Sequence, residues 1–222
     1  PSLSLSDDNE VFYTVTKDNI HLVWETSRVG EFPTDSKFSP EEVAKIRFHG
    51  INSPFEEFAV SQDLNSRGIH AVYVRAIYVT GSLKVEISVD PRRYQTHRTI
   101  VDIDGCPVLA AEHNYITIRG YYNGPDDWVP EHEDQLLTPV DLAKAVRKGI
   151  IDAAQGRTYL DRVITRLRDA GYDGSLLKLN DLLLAMNSRG EVVKDRSGEP
   201  DLIVCNFETL WKVAEPASSP GH

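Results

Sequence analysis

The residues with the most chemistry in this chain stand in its last third. Lys178, Asn180 and Asp181 lead into the apolar run Leu182-Leu183-Leu184, and a second apolar run, Leu202-Ile203-Val204-Cys205, ends in Asn206-Phe207-Glu208. Asp181 brings a carboxylate and Asn206 an amide oxygen. Both are hard donors, although the uncharged amide is a weak ligand for magnesium. Other sets carry less. The histidines at 21, 49, 70, 97, 113 and 132 show no His-x-x-x-His spacing. Glu112-His113 and Glu131-His132-Glu133-Asp134 have metal-binding side chains, but acidic loop runs are usually solvated. There is no Gly-x-Ser-x-Gly elbow and neither cysteine adjoins a histidine, so nothing local marks a serine or cysteine hydrolase. Tyr121-Tyr122 with Trp128 reads as core or loop packing before it reads as a ligand groove.

Bulk properties narrow the classes. The 222 residues carry a formal net charge of -10, which opposes the counterion release that drives nonspecific nucleic-acid binding. Short basic pairs such as Arg92-Arg93 and Arg166-Arg168 do not reverse that expectation. No nucleic-acid or membrane partner is expected. The hydrophobic share of 41% and the mean hydropathy of -0.34 suit a globular protein, and the longest apolar runs are far too short to cross a bilayer. Cys106 and Cys205 have neither zinc-ligand nor disulfide-framework spacing, so both are expected free and buried, as in a reducing cytoplasm. Pro1 is not a natural start, which suggests an excised or processed piece.

These residues need elements to position them. Residues 1–10 and 216–222 read as tails. Val11–Val15 and Ile20–Thr26, separated by Lys17-Asp18-Asn19, predict a hairpin. Residues 43–48 read either as a strand or as the end of a helix opened by Ser39-Pro40-Glu41-Glu42. Ser53-Pro54 followed by Glu56-Glu57 predicts a helix with Phe55, Phe58, Ala59 and Leu64 on its apolar face, stopped by Gly68. Residues 72–79 read as a central strand buried on both faces. Strands are also expected at 85–89, 99–103 and 114–122. A helix is expected from Thr138 towards Ala154, and another over Thr158–Ala170 with Leu160, Val163, Ile164 and Leu167 on one face. Strands at 182–186, 191–193 and 202–207 close the chain.

In that order the elements resemble the protein-kinase fold over residues 11 to 213. The resemblance implies an α+β, kinase-like fold, with a β-rich, antiparallel N-lobe-like region over 11–135 and a small helical and β-hairpin C-lobe-like region over 136–215. In kinases a strand lysine touches the nucleotide phosphates and is held by a helix glutamate. Lys45 or Arg47 matches the first, and Glu56 or, preferentially, Glu57 the second. Aligned on Lys178, Gly174-Ser175-Leu176 replaces His-Arg-Asp, so the catalytic base is missing. Asp173 is the available substitute. Asp181 falls on the metal-binding asparagine, and Asn206-Phe207-Glu208 replaces Asp-Phe-Gly. Lys17-Asp18-Asn19 lacks the glycines of a phosphate-covering turn. The resemblance therefore implies a catalytically impaired protein that binds a nucleotide or a protein partner. ATP and Mg2+ would be its cofactors, with Lys45, Arg47, Glu57 and Lys178 near the nucleotide and Asp181 and Asn206 at the metal. The alternatives are an active atypical phosphotransferase using ATP, with Asp173 as base, and a non-enzymatic interaction domain of a larger protein.

Overall fold

The computed structural model describes residues 2–5, 11–33, 38–83, 90–124, 135–195 and 197–213. The protein is α+β, and its strand ladders are antiparallel. It divides into two compact units. Unit 1 is Pro1–Gln62, Val72–Tyr121 and Phe207–Thr209. Unit 2 is Asp63–Ala71, Tyr122–Asn206 and Leu210–His222.

Unit 1 is built on a five-stranded sheet in the order β1-β2-β3-β5-β4. β1 (Ser2–Ser4) pairs with β2 (Val11–Val15), so part of the expected N-terminal tail is an edge strand. β2 and β3 (His21–Thr26) form the expected hairpin, in which Asn19 takes a positive φ of 59° at the turn. α1 (Pro40–His49) settles the choice left open for 43–48. Ser39 and Glu42 form a capping box, and Pro40 occupies the first turn.

α2 (Pro54–Ser66) starts where expected but turns a different face inward. Its buried stripe contains Glu57, Val60, Ser61 and Leu64, while Phe58 and Ala59 are exposed. The polar members are accommodated because each finds a partner: Ser61 Oγ donates to the Val72 carbonyl at 2.7 Å, and Glu57 meets a guanidinium.

β4 (Val74–Leu83) is an edge strand, not a central one, and exposes Arg75, Ala76, Tyr78 and Val79. The expected strand at 85–89 lies outside the described residues. The expected strand at 99–103 is a loop with one bridge, Val101 to Pro107. Sequence reading did not expect α3 (Arg92–Thr96), which carries buried Tyr94. β5 (His113–Gly120) alternates strictly, with Tyr115, Thr117 and Arg119 buried. Beneath it Val29, Tyr94, Leu109 and Tyr115 form a core cluster, with Phe55 and Ile77 packed against it.

Unit 2 combines a three-stranded sheet, β6-β8-β9, with the short pair β7 and β10. The helix expected over 138–154 is three elements. Thr138–Asp141 is strand β6, paired with β8, and Asp141 caps the short α4 (Leu142–Arg147). Gly149 turns the chain at φ 68°, and Asp152 with Gln155 forms a capping box that opens α5 (Ala153–Asp169). α5 buries Val163 and Leu167 and half-buries Leu160 and Ile164, as its periodicity predicts. β7 (Tyr172–Asp173) pairs with β10 (Trp211–Lys212), and a 3-10 turn (Leu179–Asp181) leads into β8 (Leu182–Met186). The expected strand at 191–193 contributes one bridge, Met186 to Val192, and β9 is Leu202–Val204. Leu142, Leu167, Leu182, Leu184 and Ile203 are fully buried in this unit.

Candidate functional site

In unit 1 the unusual chemistry lies where α2 meets the sheet. Arg119 of β5 points to the buried face by strand alternation, two residues from Thr117 and four from Tyr115. Its guanidinium pairs with Glu57 Oε2 of α2 at 2.6 Å and with Glu25 Oε1 of β3. The side chains of Arg119, Glu57 and Glu25 are 5%, 0% and 13% exposed, so this is a buried triad. β3 pairs with β5 so that Glu25 lies opposite Thr117, which places its carboxylate beside Arg119. The Arg119 guanidinium also lies 5.6 Å from the centre of the Phe207 ring.

Phe207–Thr209 is pinned within the same unit. Asn52 donates its side-chain amide to the Phe207 carbonyl and its backbone N–H to the Glu208 carbonyl, both at 2.8 Å. The Glu208 carboxylate is paired with Arg28. The cluster thus brings three carboxylates to two guanidiniums. Burial pushes the Glu57 carboxyl up to about 8 against the pull of Arg119, and the nearby Glu25 and Glu208 reinforce the rise. Burial likewise raises Glu25, with Arg119 opposing. Burial alone would lower Arg119, but Glu25 and Glu57 outweigh it, so the guanidinium stays protonated.

The expected nucleotide residues of unit 1 divide. Glu57 is buried as described, and its cation is Arg119 rather than Lys45 or Arg47. Those two lie on helix α1, Lys45 half-buried and Arg47 exposed, and not on a strand. Sequence reading missed Glu25, Arg28 and Arg119. The available signal was a charge of each sign inside two strands otherwise rich in aromatic and β-branched residues.

A second polar cluster fixes α3. Arg92 and Arg93 donate to the carbonyls of Phe48 and His49 at the end of α1, and pair with Asp90 and Glu56. His97 is buried; its Nδ1 lies 2.8 Å from the Arg93 carbonyl, which assigns the proton there and leaves Nε2 to accept from Ser53 Oγ at 2.9 Å. Ser53 also accepts the Glu56 N–H at 3.2 Å and is fully buried. The serine–histidine pair is therefore the cap of α2, with no exposed hydroxyl to act as a nucleophile.

In unit 2, Asp181 and Asn206 do come together. Asn206 Nδ2 donates to Asp181 Oδ1 at 3.0 Å, and the Lys178 N–H donates to Asp181 Oδ2 at 2.7 Å. Lys178 is exposed and Asp181 buried. This geometry does not fit a magnesium site. The amide turns its nitrogen, not its oxygen, to the carboxylate, and both carboxylate oxygens already accept hydrogen bonds. Among the described residues no group of three or more His, Cys, Asp or Glu side chains is placed to hold a metal. The run Glu131–Asp134 and Trp128 lie outside the described residues. Asp173 sits in β7, where Oδ1 accepts the Ser175 N–H at 2.9 Å, a turn contact. Elsewhere in the unit His70 Nδ1 meets Asp201 Oδ1 at 2.6 Å, and that bond raises the histidine's proton affinity.

Among the described residues neither cysteine forms a disulfide. Cys205 is half-buried, but Cys106 is exposed, contrary to expectation. Among the described residues no helix is long and apolar enough to cross a membrane. Compared with models of known protein families and with curated proteins, the chain matches none.

Proposed function

We propose that this chain is a divergent kinase-like module that lacks phosphoryl transfer and acts by binding a protein partner. One observation carries the reading: the Glu25–Arg119–Glu57 triad. A working kinase holds a strand lysine against a helix glutamate and presents that lysine to the phosphates. In this chain a glutamate of α2, the second of two helices between β3 and β4, also pairs with a cation of the sheet, which favours likeness to that fold. The cation, however, comes from β5, and β3 supplies a second carboxylate. A guanidinium buried between two carboxylates has no charge left to offer a phosphate. The missing base at Leu176 and the closed Asp181–Asn206 pair favour the same conclusion.

The alternative expected from the sequence is nucleotide binding, with Asp181 beside the nucleotide. Thermal unfolding with ATP, with and without Mg2+, separates the two, alongside an assay of phosphate release. The first reading expects no shift and no turnover, together with co-elution of candidate protein partners in size-exclusion chromatography. A metal-independent shift reduced by Asp181→Ala supports the second. ATP turnover that disappears in Asp173→Asn overturns both and establishes an atypical phosphotransferase.

A further inference from the structure

The Glu25–Arg119–Glu57 cluster has more carboxylate than cation, and its arrangement bears on the Phe207–Thr209 segment. With Glu208 and Arg28 included, full ionisation would leave three negative charges against two positive ones in a largely buried space. Glu57 shows how the excess is removed. Its Oε2 accepts from Arg119, while its Oε1 is buried and has no protein donor among the described residues. Ionised, Glu57 would place charge on an oxygen that no donor meets; protonation of Oε1 removes that charge and leaves only one neutral buried O–H, which costs much less.

We propose that this cluster is a binding site for one proton, held chiefly on Glu57 Oε1, and that loss of the proton releases Phe207–Thr209 from its seat in unit 1. The groups facing Glu57 are Arg119 and Glu25 from the sheet and Glu208 from the segment, with Arg28 paired to Glu208. When Glu57 ionises, its charge repels both other carboxylates. Glu25 is part of a paired strand and cannot leave without breaking the β3–β5 ladder. Glu208 belongs to a three-residue segment held by Arg28, by two bonds from Asn52 and by the burial of Phe207. Expelling Glu208 is therefore the less costly relief.

The test uses the full chain with carbon-13 and nitrogen-15 labelling and follows carboxyl shifts by NMR from about pH 4 to about pH 10, each carboxyl assigned by through-bond correlation to its own backbone amide. Glu57 is expected to titrate far above the ordinary carboxylate range. Exchange of the Asn52 amide hydrogen, which donates to Glu208, reads the seating of the segment. After correction for the intrinsic exchange rate, its protection is expected to fall about tenfold between about pH 6 and about pH 9, the linkage equivalent of a one-unit difference in proton affinity between seated and released states. Glu57→Gln is expected to hold that protection constant. Titration of every glutamate in the ordinary range overturns the proton site, and constant Asn52 protection across a high Glu57 titration overturns the coupling. Both measurements on the unmodified chain decide the matter even if the variant does not fold.

Discussion

Removing the guanidinium of Arg119 should expose how much of unit 1 depends on one buried cation. In Arg119→Met the aliphatic stem is roughly retained, but Glu25 and Glu57 lose the partner they share. Breaking a buried ion pair from one side costs about 3–5 kcal/mol. An independent route gives a similar size. With Glu57 already largely protonated at neutral pH, the main new cost is neutralising Glu25, whose ordinary value is 4.5. Because burial already raises Glu25 in the intact triad, the cost at pH 7 is at most about 3 kcal/mol, from the 2.5-unit gap at about 1.4 kcal/mol per unit, and at pH 5 less than about 1 kcal/mol. For a chain of this size a loss of about 3–5 kcal/mol corresponds to a fall in Tm of about 6–20 °C. Calorimetry and urea unfolding should therefore find a large deficit at pH 7 that shrinks on acidification to pH 5. The transitions should be fitted separately if the two units unfold apart. Replacing all three members with apolar residues, as Arg119→Met, Glu25→Leu and Glu57→Leu together, should recover most of the loss, because no buried charge is then left unpaired. A deficit below about 1 kcal/mol, or one that is the same at both pH values, would refute the reasoning.

Two further outcomes follow from contacts already described. His70, raised by its hydrogen bond to Asp201, contributes stability that is fully present below its ordinary value of 6.5 and is lost as pH rises through the higher folded value. The side chain is half-exposed, so the effect is at most about 1 kcal/mol, and His70→Gln should flatten the slope of Tm against pH above 6.5. Gly30 has φ +78°, and a Cβ built there would lie 2.5 Å from the buried Tyr94 hydroxyl, which bonds the Val29 carbonyl. Gly30→Ala should therefore cost about 2–4 kcal/mol, combining backbone strain and overpacking, and chemical denaturation that shows a loss below about 0.5 kcal/mol would contradict the packing described.

What could be read early was local. The Ser39 and Ser53 caps, the β2–β3 hairpin and the apolar stripe of α5 follow from neighbours within one or two turns, and they appear where such rules place them. The errors share one cause, which is that burial is decided by distant partners. Glu57 was expected at the helix start as the partner of Lys45 or Arg47, yet Arg119, 62 residues away, turns it to the inner stripe of α2 and leaves Phe58 outside. Arg92-Arg93 looked like a surface basic pair, yet both cap the end of α1. The apolar run at 72–79 looked central because composition reports side-chain character, whereas position in a sheet depends on which strands arrive beside it.

The sequence by itself determined the α+β class, the β2–β3 hairpin and the starts of α1 and α2, because these depend on residue type and short spacing. Only the tertiary structure decided that Glu25, Glu57 and Arg119 form one cluster, that Phe207–Thr209 belongs to unit 1 although its sequence neighbours belong to unit 2, and that Asp181 and Asn206 satisfy each other. The physical reason is desolvation. A charge is tolerated inside a protein only where a partner meets it, and the partner's place in the chain has no fixed distance from the charge it neutralises.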